Sequence, residues 1–314
     1  MRRLLVTGAD GFVGRWLVRT ARDTGIPVVA VLGPGGVPPG EWRDPATGAP
    51  PVETLVADLR EPEAIRRIAD VRPDAVVHLA AIASGAVARQ DPVATVAVNS
   101  DATLRLATAL ARTSAPRFLF ASTAEVYGVE HSCAITEAAP VRPGSPYAAS
   151  KAQAEAALAA VAAQDRLPVI VARAFPHTGP GQTTTYVLPA LVARLRAAKR
   201  AGTRVVKAGN LDAVRDFLDV RDVVRAYLLL LDRGQPGEVY NVASGVGRRL
   251  TDCFEMIARL MDFAAAAEPD AALVRPGDIP VLIGDATKLR TATGWSPDIA
   301  FERTLEDLVH AQAD

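Results

Sequence analysis

Two residues one helical turn apart, Tyr147 and Lys151, form a Y-x-x-x-K pair that is suited to proton transfer. Four residues span about one turn of an α-helix, so the phenol and the ammonium project from the same helix face. A free phenol loses its proton only at about pH 10. Because a nearby lysine favours the phenolate, we expect Lys151 to lower the pKa of Tyr147.

A glycine-rich pattern, T-G-x-x-G-x-x-G, ends the apolar run Leu4–Thr7. Gly8 permits a tight turn, Gly11 lets the backbone approach a pyrophosphate, and Gly14 allows a helix to pack closely on the strand. The first N–H groups of that helix then face the phosphates of a dinucleotide. The cofactor-binding residues predicted from this turn are Gly8, Gly11, Phe12, Val13, Gly14 and Arg15.

Short apolar runs alternate with helical stretches around these residues, which predicts an α/β fold with a doubly wound parallel sheet. Apolar strands without in/out alternation are typical of a sheet covered on both faces. Ligands bind beyond the carboxyl ends of such strands. The predicted strands are Leu4–Thr7, Val28–Leu32, Thr54–Ala57, Ala75–Leu79, Phe118–Ser122 and Val169–Arg173. The predicted helices are Phe12–Thr24, Pro62–Asp70, Pro92–Arg112 and Pro146–Gln164, and Gly33–Pro51 is predicted as an irregular loop.

The alternation becomes looser in the second half of the chain, and no inter-domain linker is evident. Further helices are predicted at Val187–Ala201, Leu250–Asp262 and Phe301–Ala313, with a strand at Val239–Ala243 and a strand plus helix over Asp216–Asp232. We therefore predict a smaller C-terminal lobe that is interleaved with the main sheet. Residues 1–175, with elements near 212–244, are assigned to a Rossmann domain, and residues 176–211 and 245–314 to a substrate lobe.

Composition excludes several classes of function. The formal net charge of the 314 residues is zero, which disfavours a nucleic-acid partner. Cys133 and Cys253 are far apart, which fits a reduced cytoplasm without disulfides. The N-terminus runs directly into the first strand and leaves no room for a signal peptide, and the apolar stretch Val223–Leu231 is too short to span a membrane. The four histidines lack metal-ligand spacing, so no metal is expected.

The end of the second strand bears on the type of cofactor. An acidic residue there would bind a ribose 2′-hydroxyl, but Leu32-Gly33-Pro34 occupies the position. Arg15 and Arg43 are available to meet a 2′-phosphate, so the sequence favours NADP(H), with NAD(H) as the alternative. Asp58 and Leu59 follow the third strand, where Asp58 either contacts the adenine or caps the next helix.

Thr123 ends the fifth strand, and with Tyr147 and Lys151 it resembles the triad of the extended short-chain dehydrogenase/reductase family, the NAD-dependent epimerases and dehydratases. The resemblance implies that Tyr147 protonates a carbonyl oxygen as hydride arrives, that Lys151 holds the nicotinamide ribose, and that Thr123 stabilises the oxyanion. Glu125 matches a carboxylate that related dehydratases use and that many reductases retain. His78-Leu79-Ala80-Ala81 resembles the family's fourth strand, which implies cofactor contacts at Leu79, Ala80 and Ala81.

Motifs in the second half narrow the resemblance to reductases of GDP-4-keto-6-deoxy-D-mannose. They are Arg173–Gln182, Gly209–Asp222, Pro236–Asn241, Arg275–Asp278 and Ile283–Asp285. The resemblance implies that Arg215 and Arg275 bind the diphosphate of a nucleotide sugar, and a guanidinium fork suits a phosphate. Pro176 departs from the family's asparagine and has no donor, so one substrate contact must differ.

By this resemblance the protein is an NAD(P)H-dependent reductase of a nucleotide-linked 4-keto-6-deoxyhexose, with GDP-4-keto-6-deoxy-D-mannose going to GDP-D-rhamnose as the first choice. Thr123, Glu125, Arg215 and Arg275 are the implied substrate contacts. The alternatives are a 4,6-dehydratase or epimerase that recycles a tightly held cofactor, and a dinucleotide-binding regulator without turnover. Ala124 offers no second acid, which disfavours elimination.

The family pairs subunits through helices that correspond to Pro92–Arg112 and Pro146–Gln164, so the resemblance also implies a homodimer. Small side chains recur at helical spacing on the second of these helices and would permit close approach. They are Ala148, Ala152, Ala156, Ala159 and Ala163. The alternative is that this stripe packs only against the protein's own sheet.

Overall fold

The computed structural model describes residues 1, 3–43, 52–129, 134–274 and 279–311. Its strands are β1 (Leu4–Thr7), β2 (Val28–Leu32), β3 (Glu53–Val56), β4 (Ala75–His78), β5 (Arg117–Thr123), β6 (Val169–Ala174), β7 (His177–Thr178), β8 (Val205–Ala208), β9 (Val214–Asp216), β10 (Leu218–Asp219), β11 (Val239–Val242), β12 (Gly247–Arg249), β13 (Ala266–Pro269) and β14 (Val281–Leu282). Its α-helices are α1 (Phe12–Asp23), α2 (Pro62–Ala69), α3 (Gly85–Gln90), α4 (Pro92–Val96), α5 (Ala102–Ala111), α6 (Pro146–Asp165), α7 (Val187–Ala201), α8 (Val220–Arg233), α9 (Leu250–Leu260), α10 (Thr287–Thr293) and α11 (Phe301–Ala311).

Seven parallel strands form the central sheet in the order β11-β6-β5-β4-β1-β2-β3. Every residue of β1, β2 and β4 is buried, which explains why these strands are continuous apolar runs. The carboxyl ends of β1, β4 and β5 therefore meet at one edge, where Thr7 pairs with His78 and His78 pairs with Phe120, while β5 continues to Thr123. The predicted doubly wound α/β fold is confirmed.

Helices cover both faces of the sheet. On one face Leu17 of α1 and Tyr227 of α8 belong to the same buried cluster as the inward side chains of β1. On the other face Leu106 of α5 and Leu158 of α6 pack against Phe118 of β5. Each side chain is fully or almost fully buried, so both layers contribute hydrophobic stabilisation.

A third buried cluster lies in the C-terminal part of the chain. It is built from α7, α9 and α11 around Leu195, Phe254 and Leu305. Ala213 and Phe217 also belong to this cluster, whereas α8 and β11 belong to the layers of the main sheet. The region near 212–244 is thus shared between the two cores, and the predicted division into a Rossmann domain and a substrate lobe stays a prediction.

The predicted helix Pro92–Arg112 differs most from the structure. The chain forms α4, then a π-helical segment at Ala97–Asp101, and only then α5. Asn99 in the π segment bonds through its side chain to the backbone of Ile82, which helps to fix the bulge. In the predicted loop Gly33–Pro51 the structure shows a short 3₁₀ helix at Gly40–Arg43, and residues 44–51 lie outside the described residues. No helix within the described ranges has both the length and the apolarity to cross a bilayer.

Candidate active site

The start of α6 positions the tyrosine and the lysine. Ser145 caps the helix by accepting a hydrogen bond from the N–H of Ala148 at 3.1 Å, and Pro146 occupies the first helical position. These two signals fix where the helix begins. Tyr147 therefore falls in its first turn and Lys151 in its second, both turned towards the end of β5.

Thr123 meets Tyr147 at this end of β5. The hydroxyl of Thr123 lies close enough to the phenol of Tyr147 to act on its pKa as a hydrogen-bonding group. Thr123 also accepts a hydrogen bond from the N–H of Glu125 at 3.2 Å, which orients its hydroxyl, and only 8% of the residue is exposed. Tyr147 is partly exposed. The predicted pair of hydroxyls thus lies where one carbonyl oxygen can contact both.

The ammonium of Lys151 lies deep in the molecule. The residue is 2% exposed, its Nζ donates to the carbonyl oxygen of Ala121 at 2.7 Å, and it lies 4.6 Å from the centre of the Phe120 ring. Burial lowers the pKa of Lys151 to about 7, and the carboxylate of Glu155 opposes that change. This lysine therefore changes charge near neutral pH.

The pKa of Tyr147 does not follow the sequence-based expectation. Burial raises the pKa of this phenol above its ordinary value, the carboxylate of Glu125 raises it further, and the hydrogen bond with Thr123 opposes both. The expected lowering by Lys151 is wrong here, because desolvation is the largest influence on the pKa of the phenol, and desolvation also lowers the pKa of Lys151. A phenol that keeps its proton at neutral pH is suited to donate it.

A buried ion pair supports the site from below. Arg173 of β6 donates two N–H bonds to Glu155 of α6, with the closest contact at 2.6 Å, and the side chains are 7% and 11% exposed. Glu155 also accepts a hydrogen bond from Ser122, the residue before Thr123. Arg173 stacks on Tyr127 at 4.7 Å. Sequence reasoning missed this pair, although Glu155 lies one turn beyond Lys151 and Arg173 ends the sixth predicted strand.

Asn99 is a second residue that sequence reasoning missed. Its amide nitrogen donates to the hydroxyl of Ser150 at 2.9 Å, while its oxygen accepts from the N–H of Ile82 at 2.7 Å. It therefore ties the end of β4 to the residue that precedes Lys151. Only the π-helical geometry, which recurs at functional sites, marks this position, and no sequence pattern predicts that geometry.

His78 is held as a neutral structural residue behind the site. Its ring nitrogens contact the hydroxyl of Thr7 at 2.7 Å and that of Thr103 at 2.8 Å. Since Thr103 donates its own proton to the carbonyl of Asn99, it accepts from the imidazole, which assigns the proton to Nε2. Burial, helped by the charge of Lys151, lowers the pKa of His78 to about 3.

The glycine turn fits the diphosphate of a dinucleotide. Gly8 has a φ of +65°, and a Cβ there would lie 2.8 Å from the backbone nitrogen of Ala80. A Cβ at Gly14 would lie 2.2 Å from the carbonyl oxygen of Gly8. Gly11 caps α1 without a side-chain bond, and the first turn holds no acidic residue. The N–H groups of Phe12 and Val13 thus form an N-terminus suited to an anion.

The predicted adenosine contacts lie at the ends of neighbouring strands. Leu79, Ala80 and Ala81 directly follow β4 beside Gly8, and all three are partly exposed. Asp58 pairs with Arg60 at 2.6 Å, and this hydrogen bond is the main cause that lowers the pKa of Asp58. The helix cap of α2 is Glu61, so the capping alternative for Asp58 is not found. Leu59 is buried, and adenine contacts stay a prediction.

Asp216 anchors β9, the strand that carries the predicted substrate residue Arg215. Its buried carboxylate accepts hydrogen bonds from the backbone of Ser244, Gly245 and Gly284, at 2.9 to 3.2 Å. The neighbouring Arg215 is partly exposed and donates to the carbonyl of Val214 at 2.9 Å. This anchoring fixes the strand that carries Arg215.

The remaining predicted substrate positions have different outcomes. Arg275 lies outside the described residues. The carbonyl of Pro176 accepts from the N–H of Leu218, so its backbone serves strand pairing. Tyr186, which precedes α7, acts electrostatically on Tyr147, so the start of α7 lies near the candidate site. Among the described residues no group of three His, Cys, Asp or Glu side chains is placed to hold a metal ion.

Known proteins resemble this chain over nearly its full length. The sequence profile of the NAD dependent epimerase/dehydratase family matches residues 4–243. A GDP-6-deoxy-D-mannose reductase of Pseudomonas aeruginosa is 34% identical over 98% of this chain and 96% of its own length. A dTDP-glucose 4,6-dehydratase of Xanthomonas campestris is 30% identical over 98% and 92%. The solved structure of RMD from Pseudomonas aeruginosa complexed with NADPH has a TM-score of 0.85 and 32% identity, covering 99% of this chain and 98% of that one.

Proposed function

We propose that this chain, which belongs to the NAD dependent epimerase/dehydratase family, reduces a nucleotide-linked 4-keto-6-deoxyhexose. The substrate that we propose first is GDP-4-keto-6-deoxy-D-mannose, and its product is GDP-D-rhamnose. The predicted family and enzyme class, an NAD(P)-dependent oxidoreductase that acts on nucleotide sugars, are confirmed. The reductase of Pseudomonas aeruginosa supports the proposed reaction, because it matches the chain from end to end.

The closeness of the Thr123 hydroxyl to the Tyr147 phenol, sufficient to lower the pKa of the phenol, is the observation that carries the proposal. Two hydroxyls that converge on one point can both contact a carbonyl oxygen as negative charge develops on it. The raised pKa of Tyr147 keeps its proton available, so this phenol donates the proton to that oxygen. The nicotinamide cofactor, when bound, supplies the hydride. Lys151, one helical turn after Tyr147, would support the phenol through its charge and bind the nicotinamide ribose of the cofactor.

We propose NADP(H) as the preferred cofactor, with NAD(H) as the alternative. The end of β2 carries no acidic side chain of its own, since Gly33 and Pro34 follow Leu32. Arg15 is exposed on the first turn of α1, where its guanidinium can meet a 2′-phosphate. The related structure of RMD is a complex with NADPH, which supports the same preference.

A 4,6-dehydratase is the second candidate, and Glu125 favours it. This carboxylate is close enough to Tyr147 to raise the pKa of the phenol, which is the placement that removal of a neighbouring C–H proton requires. Ala124 beside it is buried and offers no second acid for expelling water. The similarity to the dTDP-glucose 4,6-dehydratase of Xanthomonas campestris supports this second candidate.

Cofactor consumption separates the two reactions. A reductase oxidises one NADPH for each keto sugar, whereas a dehydratase returns the hydride within the same site. We expect loss of NADPH absorbance when GDP-4-keto-6-deoxy-D-mannose is supplied, and no 4-keto product from GDP-mannose alone. Turnover of GDP-mannose without added reductant would replace the reductase by the dehydratase. Thermal stabilisation by GDP-, dTDP-, UDP- and CDP-sugars identifies the base.

We also propose a homodimer that forms through α6. A groove of about 360 Å³ runs between this helix and the β6–β11 edge of the sheet. Ala152, Ala156, Ala159 and Ala162 line it from the helix, and Val171 and Val239 from the strands. Ala148 is buried in the protein's own core, whereas Ala156, Ala159 and Ala163 are exposed, which leaves most of the small-residue stripe for a partner.

Light scattering at micromolar concentration tests the dimer, and a monomer mass would exclude it. Ala159→Arg places a charge in the groove and is expected to shift the mass towards the monomer. Ala201→Arg, on an exposed position at the end of α7, is the control.

We place the protein in the cytoplasm, without nucleic acid or membrane as a partner, on the zero net charge and two widely separated cysteines of its sequence.

A further inference from the structure

Asp10 brings a carboxylate to the end of β2, where the strand itself has none. This residue lies in the glycine turn, between Gly8 and Gly11. Its two carboxylate oxygens lie 3.4 and 3.3 Å from the backbone nitrogen of Gly33, the first residue after β2. In Rossmann folds this is the position at which an acidic side chain meets the adenosine ribose.

The turn that follows β2 closes over this carboxylate. The N–H of Gly36 donates to the carbonyl of Gly33 at 2.9 Å, which folds residues 33–36 back on the strand. A Cβ at Gly36 would lie 2.6 Å from Oδ2 of Asp10, so only glycine fits beside the carboxylate. Asp10 remains partly exposed, with its carboxylate beside the first residue after β2.

Arg15 lies at the same edge with the opposite charge. Its Nε donates a hydrogen bond to the backbone carbonyl oxygen of Asp10 at 3.0 Å. This bond holds the guanidinium next to the residue that carries the carboxylate. A 2′-phosphate placed here would be attracted by one side chain and repelled by the other. A ribose 2′-hydroxyl would instead find a hydrogen-bond acceptor in the carboxylate.

We propose that Asp10 is a specificity-determining residue of the cofactor site, which disfavours a 2′-phosphorylated dinucleotide and opposes Arg15. The carboxylate thereby takes the place of the acidic residue that β2 lacks. The inference rests on the proposed function only in that the site binds a nicotinamide dinucleotide. It does not depend on which sugar is reduced, or on which cofactor the wild-type protein prefers.

Binding measurements on Asp10→Asn test the proposal. The amide keeps an oxygen that accepts from Gly33 but removes the charge. Titration calorimetry with NADP⁺ and NAD⁺ should show the ratio of their affinities rising about tenfold in favour of NADP⁺, as expected for one repulsion removed at a partly exposed site. Adenosine 2′,5′-bisphosphate and 5′-AMP, which differ in the 2′-phosphate, should show the same change.

Controls separate this role from a purely structural one. Arg15→Ala should move the affinity ratio in the opposite direction, and 0.5 M salt should reduce the effect of Asp10→Asn because exposed charges are screened. If Asp10→Asn weakens NADP⁺ and NAD⁺ by the same factor, or lowers the ratio, the proposal is wrong. Asp10→Ser gives the same test if the asparagine variant does not fold. Since no sugar is present, failure of the proposed reaction leaves these results unaffected.

Discussion

The glycine turn and the proton-transfer group lie at the same edge of the sheet but are built on different physical grounds. In the glycine turn, close packing of backbone atoms sets the shape of the site, since a Cβ at Gly14 would lie 2.2 Å from the carbonyl oxygen of Gly8. In the proton-transfer group the side chains of Thr123, Tyr147 and Lys151 are set by burial and charge. Binding and chemistry should therefore respond to different substitutions.

The glycine turn and the Thr123, Tyr147 and Lys151 side chains should differ in how they tolerate substitution. A steric contact between backbone atoms has no alternative arrangement, so a small added group displaces the whole turn. A hydroxyl or a charge can be removed without changing the shape of its surroundings, so the fold and the bound cofactor remain. The variants that follow probe this contrast.

Removing the phenolic hydroxyl should have the largest effect. We expect Tyr147→Phe to lower kcat by about 10²–10⁴-fold with cofactor affinity nearly intact, because the ring stays and only the transferable proton is lost. Stopped-flow reduction and calorimetry with NADP⁺ give the two quantities. Tyr240→Phe is the matched control, since the Tyr240 hydroxyl accepts from Gln235 away from the site. A Tyr147→Phe enzyme with most of its kcat would remove the proton-donor role.

Filling the glycine turn should give the converse result. Gly14→Ala forces the backbone apart, and strain of about 1–3 kcal/mol corresponds to a loss of roughly five- to 150-fold in cofactor affinity. The turnover rate at saturating cofactor should change much less. Gly40→Ala is the control, because nothing lies within 4 Å of a Cβ there. Equal cofactor affinity in the two variants would contradict the steric account.

Arg215→Ala extends the comparison to β9. A charge-assisted contact with a phosphate contributes roughly 1.5–3 kcal/mol, so we expect about a ten- to hundredfold weaker affinity for the nucleotide sugar. Affinity for NADP⁺ should not change, because Arg215 lies on β9, which belongs to a different sheet from the strand that precedes the glycine turn. Calorimetry with GDP-mannose measures the first quantity. Unchanged sugar-nucleotide binding would return Arg215 to a structural role.

The smallest expected effect is a change in pH dependence through Glu155. Burial lowers the pKa of Lys151 to about 7, so Lys151 is charged below that pH and neutral above it. If the charged form supports Tyr147, kcat/KM falls as pH rises through about 7. Glu155 raises the pKa of Lys151, so Glu155→Gln should move this fall to lower pH by about one pH unit.

A matched carboxylate serves as the control for that experiment. Glu238 forms an ion pair with Lys288 at 2.6 Å, and its side chain is 45% exposed. Glu238→Gln should leave the pH profile unchanged. Because Glu155→Gln also weakens the buried contact with Arg173, its thermal stability is measured beside the profile. Lower stability with an unmoved profile would make Glu155 structural only.

Features that depend on local periodicity and local sterics could be predicted from the amino-acid sequence alone. Continuous apolar runs placed β1, β2, β4 and β6 to within one residue, because a strand buried on both faces tolerates few polar side chains, whereas β3 at the edge of the sheet is mostly exposed. Ser145 and Pro146 set the start of α6, and the spacing of Tyr147 and Lys151 then followed from the helical repeat. The glycine pattern could be identified from its own residues, without knowledge of any residue distant in the chain.

Tertiary structure decided what depends on residues that are distant in the chain. The direction of the pKa change at Tyr147 was wrong from sequence, because desolvation reflects all the groups packed around the phenol. The pairs Glu155 with Arg173 and Asn99 with Ser150 join separate elements, and the π-helical turn has no sequence signal. Asp10 reaches Gly33 across 23 positions of the sequence. Local patterns cannot specify such contacts, because folding alone brings these elements together.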